Sequence, residues 1–186
     1  MTKKLILLVT ILTLVILVAY LQYFNDEKIE DTIMTSDSYK TVFTKVDDVI
    51  NFSINTKDYS IDNGKDIDIR KLIYEKYDCK VYLDKILNQE EKLWIHITFE
   101  NDWNYKQGKG LTFKNIYYKN GEKICGFDSS ELKVTDSKGD KIHASYGGGG
   151  STYYYGFHIE KEDFQNNYIL NVKLKGFNLV TYELKK

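Results

Sequence analysis

Apolar and polar residues alternate with a period of two along most of the chain from Val49 onward, which is the spacing of a β-strand with one buried face. The clearest case is the segment LWIHITFE at 93–100. The side chains predicted to face the core are Leu93, Ile95, Ile97 and Phe99. Those predicted to face outward are Trp94, His96, Thr98 and Glu100. The same alternation recurs at 50–54, 79–83, 153–159, 168–174 and 180–184. We therefore predict a series of half-buried strands.

Turn sequences separate these strands. Residues 120–121 are Asn-Gly, which suits the positive φ angles of a tight hairpin, residues 136–140 form a polar turn, and Gly176 divides the last two strands. Eight or nine short strands with this spacing favour an all-β, antiparallel sandwich or barrel over an α/β fold. Only 67–76 suggests a soluble helix, and its shared face would comprise Ile69, Leu72, Ile73 and Lys76.

The segment 5–24 differs from the rest, because its twenty residues contain no ionisable group apart from tyrosine. A helix of that length spans roughly 30 Å, the thickness of a bilayer hydrocarbon core. We predict an uncleaved signal anchor at 1–24, a transmembrane helix that contacts the lipid bilayer through residues 5–24. A cleaved signal peptide is the main alternative, although 17–19 supplies only one of the two small residues that cleavage requires. A buried core helix is the third interpretation.

The charges on either side of this segment predict its orientation. Lys3 and Lys4 precede it and four acidic residues within 26–31 follow it, so the N-terminus is expected in the cytoplasm and the C-terminal part outside a single-pass cell-membrane helix. Only four residues would remain inside, too few for a cytoplasmic domain. We divide the exported part into an acidic, solvated juxtamembrane stalk at 25–48 and a β-sandwich domain at 49–186.

Composition narrows the function classes once these parts are separated. The 186 residues carry a formal charge of −1, but the 162 residues after position 24 hold all 27 acidic and 24 of the 26 basic side chains, a formal charge of −3. That charge gives no basis for binding nucleic acid. With 42% hydrophobic residues and two cysteines, the chain is neither a disordered segment nor a disulfide-dense miniprotein.

Four segments together resemble a known kind of domain. They are LWIHITFEND at 93–102, ELKVTDSKGDKI at 131–142, YGGGGST at 146–152 and YILNVKLKGF at 168–177. They are similar to membrane-tethered immunoglobulin-like domains of unknown function from the surface of low-GC Gram-positive bacteria, over residues 78–186. The resemblance implies an immunoglobulin-like β-sandwich and no catalytic residues.

The two cysteines leave two alternatives open. Outside the cytoplasm, Cys79 and Cys125 could form a disulfide, which would close a loop of about 46 residues and contribute about 4 kcal/mol by restricting the unfolded chain. Cys79 also shares the apolar face of its strand with Val81 and Leu83. That placement favours a small buried thiol.

Catalytic and metal-binding motifs are missing from the sequence. The three histidines are isolated, and His96 and His158 fall on the polar faces of their strands, so we expect solvated side chains. A sortase-like order of histidine, cysteine and a later arginine fails, because the only arginine, Arg70, precedes Cys125. The acidic segment 58–68 offers oxygen ligands of the kind calcium prefers, but lacks the register of a helix-loop-helix calcium site. We expect no enzymatic activity, no metal and no cofactor.

Aromatic side chains are the unusual resource of this chain. Trp94 is predicted to lie on the polar face of its strand, Trp103 and Tyr105 follow in a polar loop, and Tyr154 faces away from its neighbours. Exposed Trp and Tyr supply large, rigid contact areas for protein or glycan surfaces, unless another layer of the domain covers them. We predict a non-enzymatic binding domain for an envelope protein partner at these four residues, with a cell-wall glycan as the alternative ligand.

Overall fold

The computed structural model describes residues 3–23, 26–61, 64–120, 122–127, 131–147 and 154–186. Within these ranges the helices are α1 (Lys3–Tyr23), α2 (Asp26–Thr35) and α3 (Lys161–Asn166), with a 3₁₀ turn at Thr56–Asp58. The strands are β1 (Tyr39–Val46), β2 (Ile50–Asn55), β3 (Ile67–Lys76), β4 (Cys79–Gln89), β5 (Lys92–Asn101), β6 (Gln107–Thr112), β7 (Lys114–Lys119), β8 (Glu122–Phe127), β9 (Glu131–Thr135), β10 (Lys141–Ile142), β11 (Ala144–Gly147), β12 (Tyr154–Glu160), β13 (Ile169–Lys175) and β14 (Phe177–Leu184).

These strands form antiparallel sheets. The largest has five strands in the order β11-β12-β5-β4-β3, the second has four in the order β10-β9-β13-β2, and the third has three in the order β1-β14-β6. Strands β7 and β8 pair with each other as a separate hairpin. The prediction of an all-β, antiparallel fold is confirmed.

The main hydrophobic core joins the five-stranded and four-stranded sheets. Leu93, Ile95 and Ile97 of β5 are fully buried in it, as the alternation along β5 predicts. The same core includes Ile50 and Ile54 of β2, and Leu170, Val172 and Leu174 of β13. Burial of large aliphatic side chains from both sheets stabilises their association, at roughly 25 cal/mol per Å² of apolar surface removed from water.

The predicted turns lie where the sequence places them. Asn120 adopts a φ of 55° at the end of β7, whose last residue pairs with the first residue of β8. In the 136–140 turn, an Asp136 Oδ1 accepts hydrogen bonds from the backbone N–H groups of Lys138 and Asp140, at 2.9 and 2.8 Å. Gly176 has a φ of 90° between β13 and β14, a conformation that glycine adopts without steric cost.

Residues 67–76 form strand β3, so the prediction of a helix there is wrong. The strand pairs with β4 from Ile67 opposite Ile86 to Lys76 opposite Cys79, with two register shifts between those ends. Each shift inserts extra residues into the strand and interrupts its period of two. The displaced apolar residues thereby imitate helical spacing.

The segment predicted as a solvated stalk contains ordered elements instead. Ile29, Ile33 and Met34 of α2 are 5%, 0% and 0% exposed, and they pack in a second hydrophobic core with residues of β14 and the β5–β6 loop. Ile33 and Met34 follow Ile29 by four and five residues, which places the three side chains on one side of the helix. The prediction of a spacer through 25–48 is wrong for α2.

Strand β1 is also part of the folded body. It pairs with β14 along its whole length, from Tyr39 opposite Leu184 to Val46 opposite Phe177. The strand that follows α2 is therefore hydrogen-bonded to the last strand of the chain. The folded body extends N-terminally beyond the predicted boundary at residue 49.

Helix α1 exposes apolar side chains. Every described side chain from Val9 to Val18 is exposed, and Leu12 and Ile16 are each 60% exposed. Among the described residues, no helix has an apolar stretch long enough to span a membrane.

Candidate functional site

The side of the five-stranded sheet that faces away from the main core carries a connected group of polar and aromatic side chains. We call this group the β5 face, because β5 provides its centre. Its members are Arg70, Tyr82, Asp84, Trp94, His96, Thr98, Glu100 and His158.

Two irregularities in strand pairing position the charged residues of this face. In the β4–β5 pairing, Leu83 lies opposite Ile97 and Lys85 opposite His96, so Asp84 is an extra residue on β4. In the β3–β4 pairing, the register shifts between Asp68 and Lys71, which brackets Arg70. Such β-bulges re-aim side chains, and adjacent bulges here turn Asp84 and Arg70 toward each other.

Arg70 has a backbone conformation that few residues with a side chain adopt. Its φ is 52°, in the left-handed region that non-glycine residues enter at a cost of about 1–3 kcal/mol. The guanidinium donates to Asp84 Oδ1 at 3.5 Å and to Glu100 Oε1, and its Cζ lies 3.9 Å from the centre of the Tyr82 ring. The contacts with two carboxylates and one ring hold the side chain in place.

Asp84 connects Arg70 to His96. The His96 Nδ1 lies 3.7 Å from Asp84 Oδ2, and the imidazole is 4% exposed, which corrects the prediction of a solvated histidine. Burial lowers the pKa of His96 below its ordinary value, and the nearby carboxylate of Asp84 partly opposes that change. His96 is therefore neutral at pH 7.

Trp94 lies between the two histidines of the face. Its ring is stacked against His158, with centroids 5.7 Å apart and planes 24° from parallel, and meets His96 edge-on at 5.0 Å. The indole covers Gly156 of β12, where a Cβ would overlap Nε1. The absence of a side chain at Gly156 is what allows the ring to lie against the sheet.

Two buried polar atoms of this face have no hydrogen-bond partner among the described residues. They are Trp94 Nε1 and Thr98 Oγ1, and Thr98 as a whole is only 9% exposed. Buried polar groups are satisfied in most proteins, because an unmade hydrogen bond costs about 1–3 kcal/mol. Both atoms have almost no contact with solvent, so a hydroxyl or amide of another molecule would bond to them only after a local movement of the side chains.

The other predicted contact residues lie elsewhere. Trp103 is 4% exposed and belongs to the second core, so its prediction as an exposed contact residue is wrong. Tyr105 packs against the same core, and its carbonyl oxygen accepts a hydrogen bond from the Tyr39 hydroxyl at 2.9 Å. The Tyr154 side chain lies outside the described part of the chain. Of the three whose side chains are described, Trp94 alone lies on the β5 face.

Trp103 shares the second core with helix α2, which the sequence alone does not indicate. The indole also fits tightly against Gly110 of β6, where a Cβ would lie 2.6 Å from Trp103 Cη2. Ile33 and Met34 of α2 complete the enclosure within the second core. Trp103 is therefore a structural residue that joins α2 to the three-stranded sheet.

Cys79 is a free thiol, buried in the main core. Burial raises its pKa to about 12, so the thiol is protonated and unreactive at neutral pH. This finding supports the buried thiol rather than the disulfide. The side chain of Cys125 lies outside the described residues.

The residues with functional chemistry form no metal site in the described ranges, where no group of three histidine, cysteine or acidic side chains could hold a metal ion. In the acidic segment 58–68, Asp58 accepts a hydrogen bond from Asn55, and Asp66 accepts one from the backbone N–H of Asn88. Residues 62–63 lie outside the described part. Asp58 and Asp66 therefore have structural roles.

An open groove of about 490 Å³ lies at the edge of the three-stranded sheet. Asp78, Asp102, Lys109 and Glu183 are among its lining residues, and Lys109 Nζ is 2.9 Å from Asp78 Oδ2. The groove has charges of both signs that contact each other. It shows no arrangement suited to a particular ligand.

Sequence reasoning missed Arg70 and Asp84 as members of a site. They are fourteen residues apart, and neither stands in a recognisable motif. The only signal available was the break in alternation within 67–76 and at Asp84, which marks the bulges.

Comparisons with protein-family models, with curated proteins and with solved structures return no match for this chain. Its function is therefore argued from geometry.

Proposed function

We propose that this protein is a membrane-anchored, extracytoplasmic binding domain without enzymatic activity. The observation that carries the proposal is the exposure of α1, where eight large apolar residues between Val9 and Val18 are 49–60% exposed. Consecutive exposed residues over Leu14–Val18 surround more than one turn of the helix, so no single face remains for packing. A bilayer is the environment that would cover all sides.

The charges flanking α1 support the orientation. Lys3 and Lys4 begin the helix, and the acidic residues of 26–31 follow it. Basic residues are retained on the cytoplasmic side of membrane helices. The β-sheets and the β5 face would then lie outside the membrane, and α2 would connect the anchor directly to the second core.

Binding rather than catalysis is supported by the chemistry of the β5 face. A neutral His96 beside Asp84 resembles a general base, but Cys79 lies in the main core, away from this face. Covalent catalysis requires a nucleophile within hydrogen-bond reach of its base. What the face does offer is a combination of aromatic rings with hydrogen-bonding groups, which suits recognition.

The finer description of the fold belongs to the same proposal. We assign the domain to the immunoglobulin-like sandwiches, and its resemblance to membrane-tethered domains of low-GC Gram-positive bacteria is part of that assignment. Support comes from four-stranded and five-stranded antiparallel sheets that contribute to one core.

The ligand in this proposal is a component of the cell envelope. The sequence placed a protein partner at Trp94, Trp103, Tyr105 and Tyr154, but Trp103 and Tyr105 belong to the second core. The β5 face retains Trp94 and adds Arg70, Asp84 and Thr98. We therefore propose this face as the contact surface.

The anchor is tested in membranes from cells that express the full chain. The expected result is retention in the pellet after an alkaline wash, with a C-terminal epitope digested when protease is added outside intact cells. The variant Leu12→Lys/Ile16→Lys is expected in the supernatant, because two charges in the bilayer core are costly. A matched control, Val42→Lys/Leu184→Lys, replaces residues of β1 and β14 that are 49% and 48% exposed and should stay in the pellet. Release of the full chain, or protection of its epitope, would contradict the proposal.

A further inference from the structure

The charges of the β5 face are balanced. Arg70 contacts Asp84 and Glu100, and Lys85, which borders the face, has its Nζ 4.0 Å from Asp84 Oδ2, so two cationic side chains lie beside two carboxylates. Lys80, opposite Glu100 in the β4–β5 pairing, is itself paired with Glu75 at 3.9 Å. At the end of β5, Lys92 Nζ lies 3.1 Å from Glu160 Oε1. A face without excess charge does not select phosphates, nucleic acids or lipid headgroups, which are drawn to clustered cations.

The rings of this face stand beside the polar groups. Trp94 and His158 form a stacked pair on neighbouring strands, and Tyr82 lies opposite Thr98 across the β4–β5 pairing. Trp94, Tyr82 and His158 are each partly exposed, and Arg70 covers one face of the Tyr82 ring. A ligand would therefore contact the parts of these rings that their neighbours leave uncovered. A sugar ring presents C–H groups on its faces and hydroxyls around its edge, which matches flat aromatic surface bordered by carboxylate, guanidinium and hydroxyl groups.

Trp94 Nε1 and Thr98 Oγ1, which have no partner among the described residues, also favour a ligand rich in hydroxyl groups. Trp94 Nε1 can only donate a hydrogen bond, whereas Thr98 Oγ1 can donate and accept. A hydroxyl can serve either group, because it is both donor and acceptor. Since the indole lies over Gly156, a ligand that reaches Nε1 must displace the ring, and its fluorescence would report the movement.

From these observations we infer that the β5 face binds an uncharged, hydroxyl-rich carbohydrate of the cell envelope. Trp94 and Tyr82 supply the stacking surface, Thr98 and Trp94 Nε1 supply hydrogen bonds, and the Arg70–Asp84–Glu100 network holds the polar border. The inference rests on the proposed function, since it names the ligand class of the same site.

The test uses the full chain in detergent micelles and three insoluble, uncharged polysaccharides, namely chitin, cellulose and starch. We expect retention on at least one, with a saturable change in tryptophan emission when the corresponding soluble tetrasaccharide is added. Thr98→Val should weaken retention at least fivefold, because it removes a hydroxyl that has no partner in the described part of the chain and keeps the shape of the side chain. Trp94→Leu should abolish both retention and the emission change.

The matched control is Tyr118→Ala, which removes a tyrosine that is 70% exposed on the β7–β8 hairpin. Its retention should stay within twofold of the unaltered chain. Phosphocellulose is run in parallel as a charged matrix. Retention on none of the three uncharged polysaccharides, retention on phosphocellulose alone, or retention of Thr98→Val and Trp94→Leu equal to that of the unaltered chain would each overturn the inference. Cross-linking from position 82 to an envelope protein, without polysaccharide binding, would overturn it while leaving the proposed binding function intact. Failure of the membrane experiment concerns only the proposed anchor.

Discussion

At the residue scale, the β5 face depends on one missing side chain and two strand irregularities. Gly156 leaves room for the Trp94 indole, and two bulges turn Arg70 and Asp84 into contact. The residue types of Gly156, Trp94 and Asp84 do not by themselves indicate a site. Arg70 is distinguished only as the single arginine of the chain. The arrangement depends on which strands are neighbours and on where their pairing shifts.

Replacing Gly156 by alanine tests the packing of Trp94. The new Cβ would overlap Nε1 and lie 2.8 Å from the carbonyl oxygen of Ile95, so we expect Gly156→Ala to lower the free energy of unfolding by about 1–3 kcal/mol. Tryptophan emission should shift as the indole leaves the sheet. Denaturant unfolding and fluorescence measure the two effects.

A double-mutant cycle provides the control for this prediction. In Trp94→Leu the overlapping atom is gone, so adding Gly156→Ala should cost less than it does in the unaltered chain. An equal cost in both backgrounds would show that the substitution acts through the backbone of Ile95 rather than through the indole.

Residue-level prediction succeeded where local alternation determined the outcome. The inward set of β5 follows directly from the period of two, because a strand with one buried face has no other arrangement. Trp103 and His96 were predicted as exposed and are buried. Trp103 lies in a core that includes α2, about seventy residues earlier in the chain, and His96 lies beside Trp94 and Asp84 of its own sheet. Their burial therefore depends on contacts between elements.

At the element scale, a cluster of polar groups ties the β1–β2 loop to β3. Lys76 Nζ donates to Asp48 Oδ2 at 2.8 Å, and the Tyr74 hydroxyl donates to the same oxygen at 2.8 Å. These bonds, together with Tyr77, lower the pKa of the Asp48 carboxyl to about 2. Burial, followed by the carboxylate of Asp48, raises the pKa of Tyr74. The second register shift of β3, between Leu72 and Tyr74, lies beside this cluster.

We predict a pH-dependent effect of Asp48→Asn on stability. The pKa of Asp48 is lower in the folded state than its ordinary value of 3.8, so its contribution is fully present above about pH 5 and is lost as the pH falls toward 2. The variant should therefore unfold at lower denaturant concentration than the unaltered chain at pH 7, and the difference should shrink at pH 2. Urea midpoints at the two pH values measure this.

Asp47→Asn is the matched control, since Asp47 is exposed and makes no ion pair or hydrogen bond within the described residues. Its midpoint should equal that of the unaltered chain at both pH values. A difference for Asp48→Asn that is the same at pH 2 and pH 7 would exclude the charge of Asp48 as its cause.

Element types were predictable from sequence where the periodicity was regular. Strands β4, β5, β13 and β14 follow from alternation, and the turns at 120–121, 136–140 and Gly176 follow from residue type. Strand β3 was mistaken for a helix, because its bulges disturb the alternation that identifies a strand. Helix α2 was missed, because its ten residues include four acidic ones and its sequence therefore suggests a solvated segment. The helix is stabilised by packing of its apolar side against distant residues.

At the scale of the whole molecule, the two cores join distant parts of the chain. The second core combines α2 with Val180 and Tyr182 of β14, and β1 pairs with β14 along eight residues. Helix α2 and strand β1 are thus held by β14. Such long-range pairing is not visible in the local pattern of either segment, which is why the sequence placed the domain boundary at residue 49.

This arrangement predicts that a chain beginning at residue 49 is less stable than one beginning at residue 26. The shorter chain lacks α2 and β1, so Trp103, Val180 and Tyr182 would lose their covering, and β14 would become an edge strand. Deleting one buried Ile or Met side chain commonly costs about 2–5 kcal/mol, and here two fully buried ones are lost together with a strand. We expect a lower Tm, red-shifted tryptophan emission and binding of a hydrophobic dye for the shorter chain only. Equal Tm and emission for the two chains would mean that α2 and β1 contribute little to the fold and that the boundary at residue 49 is correct.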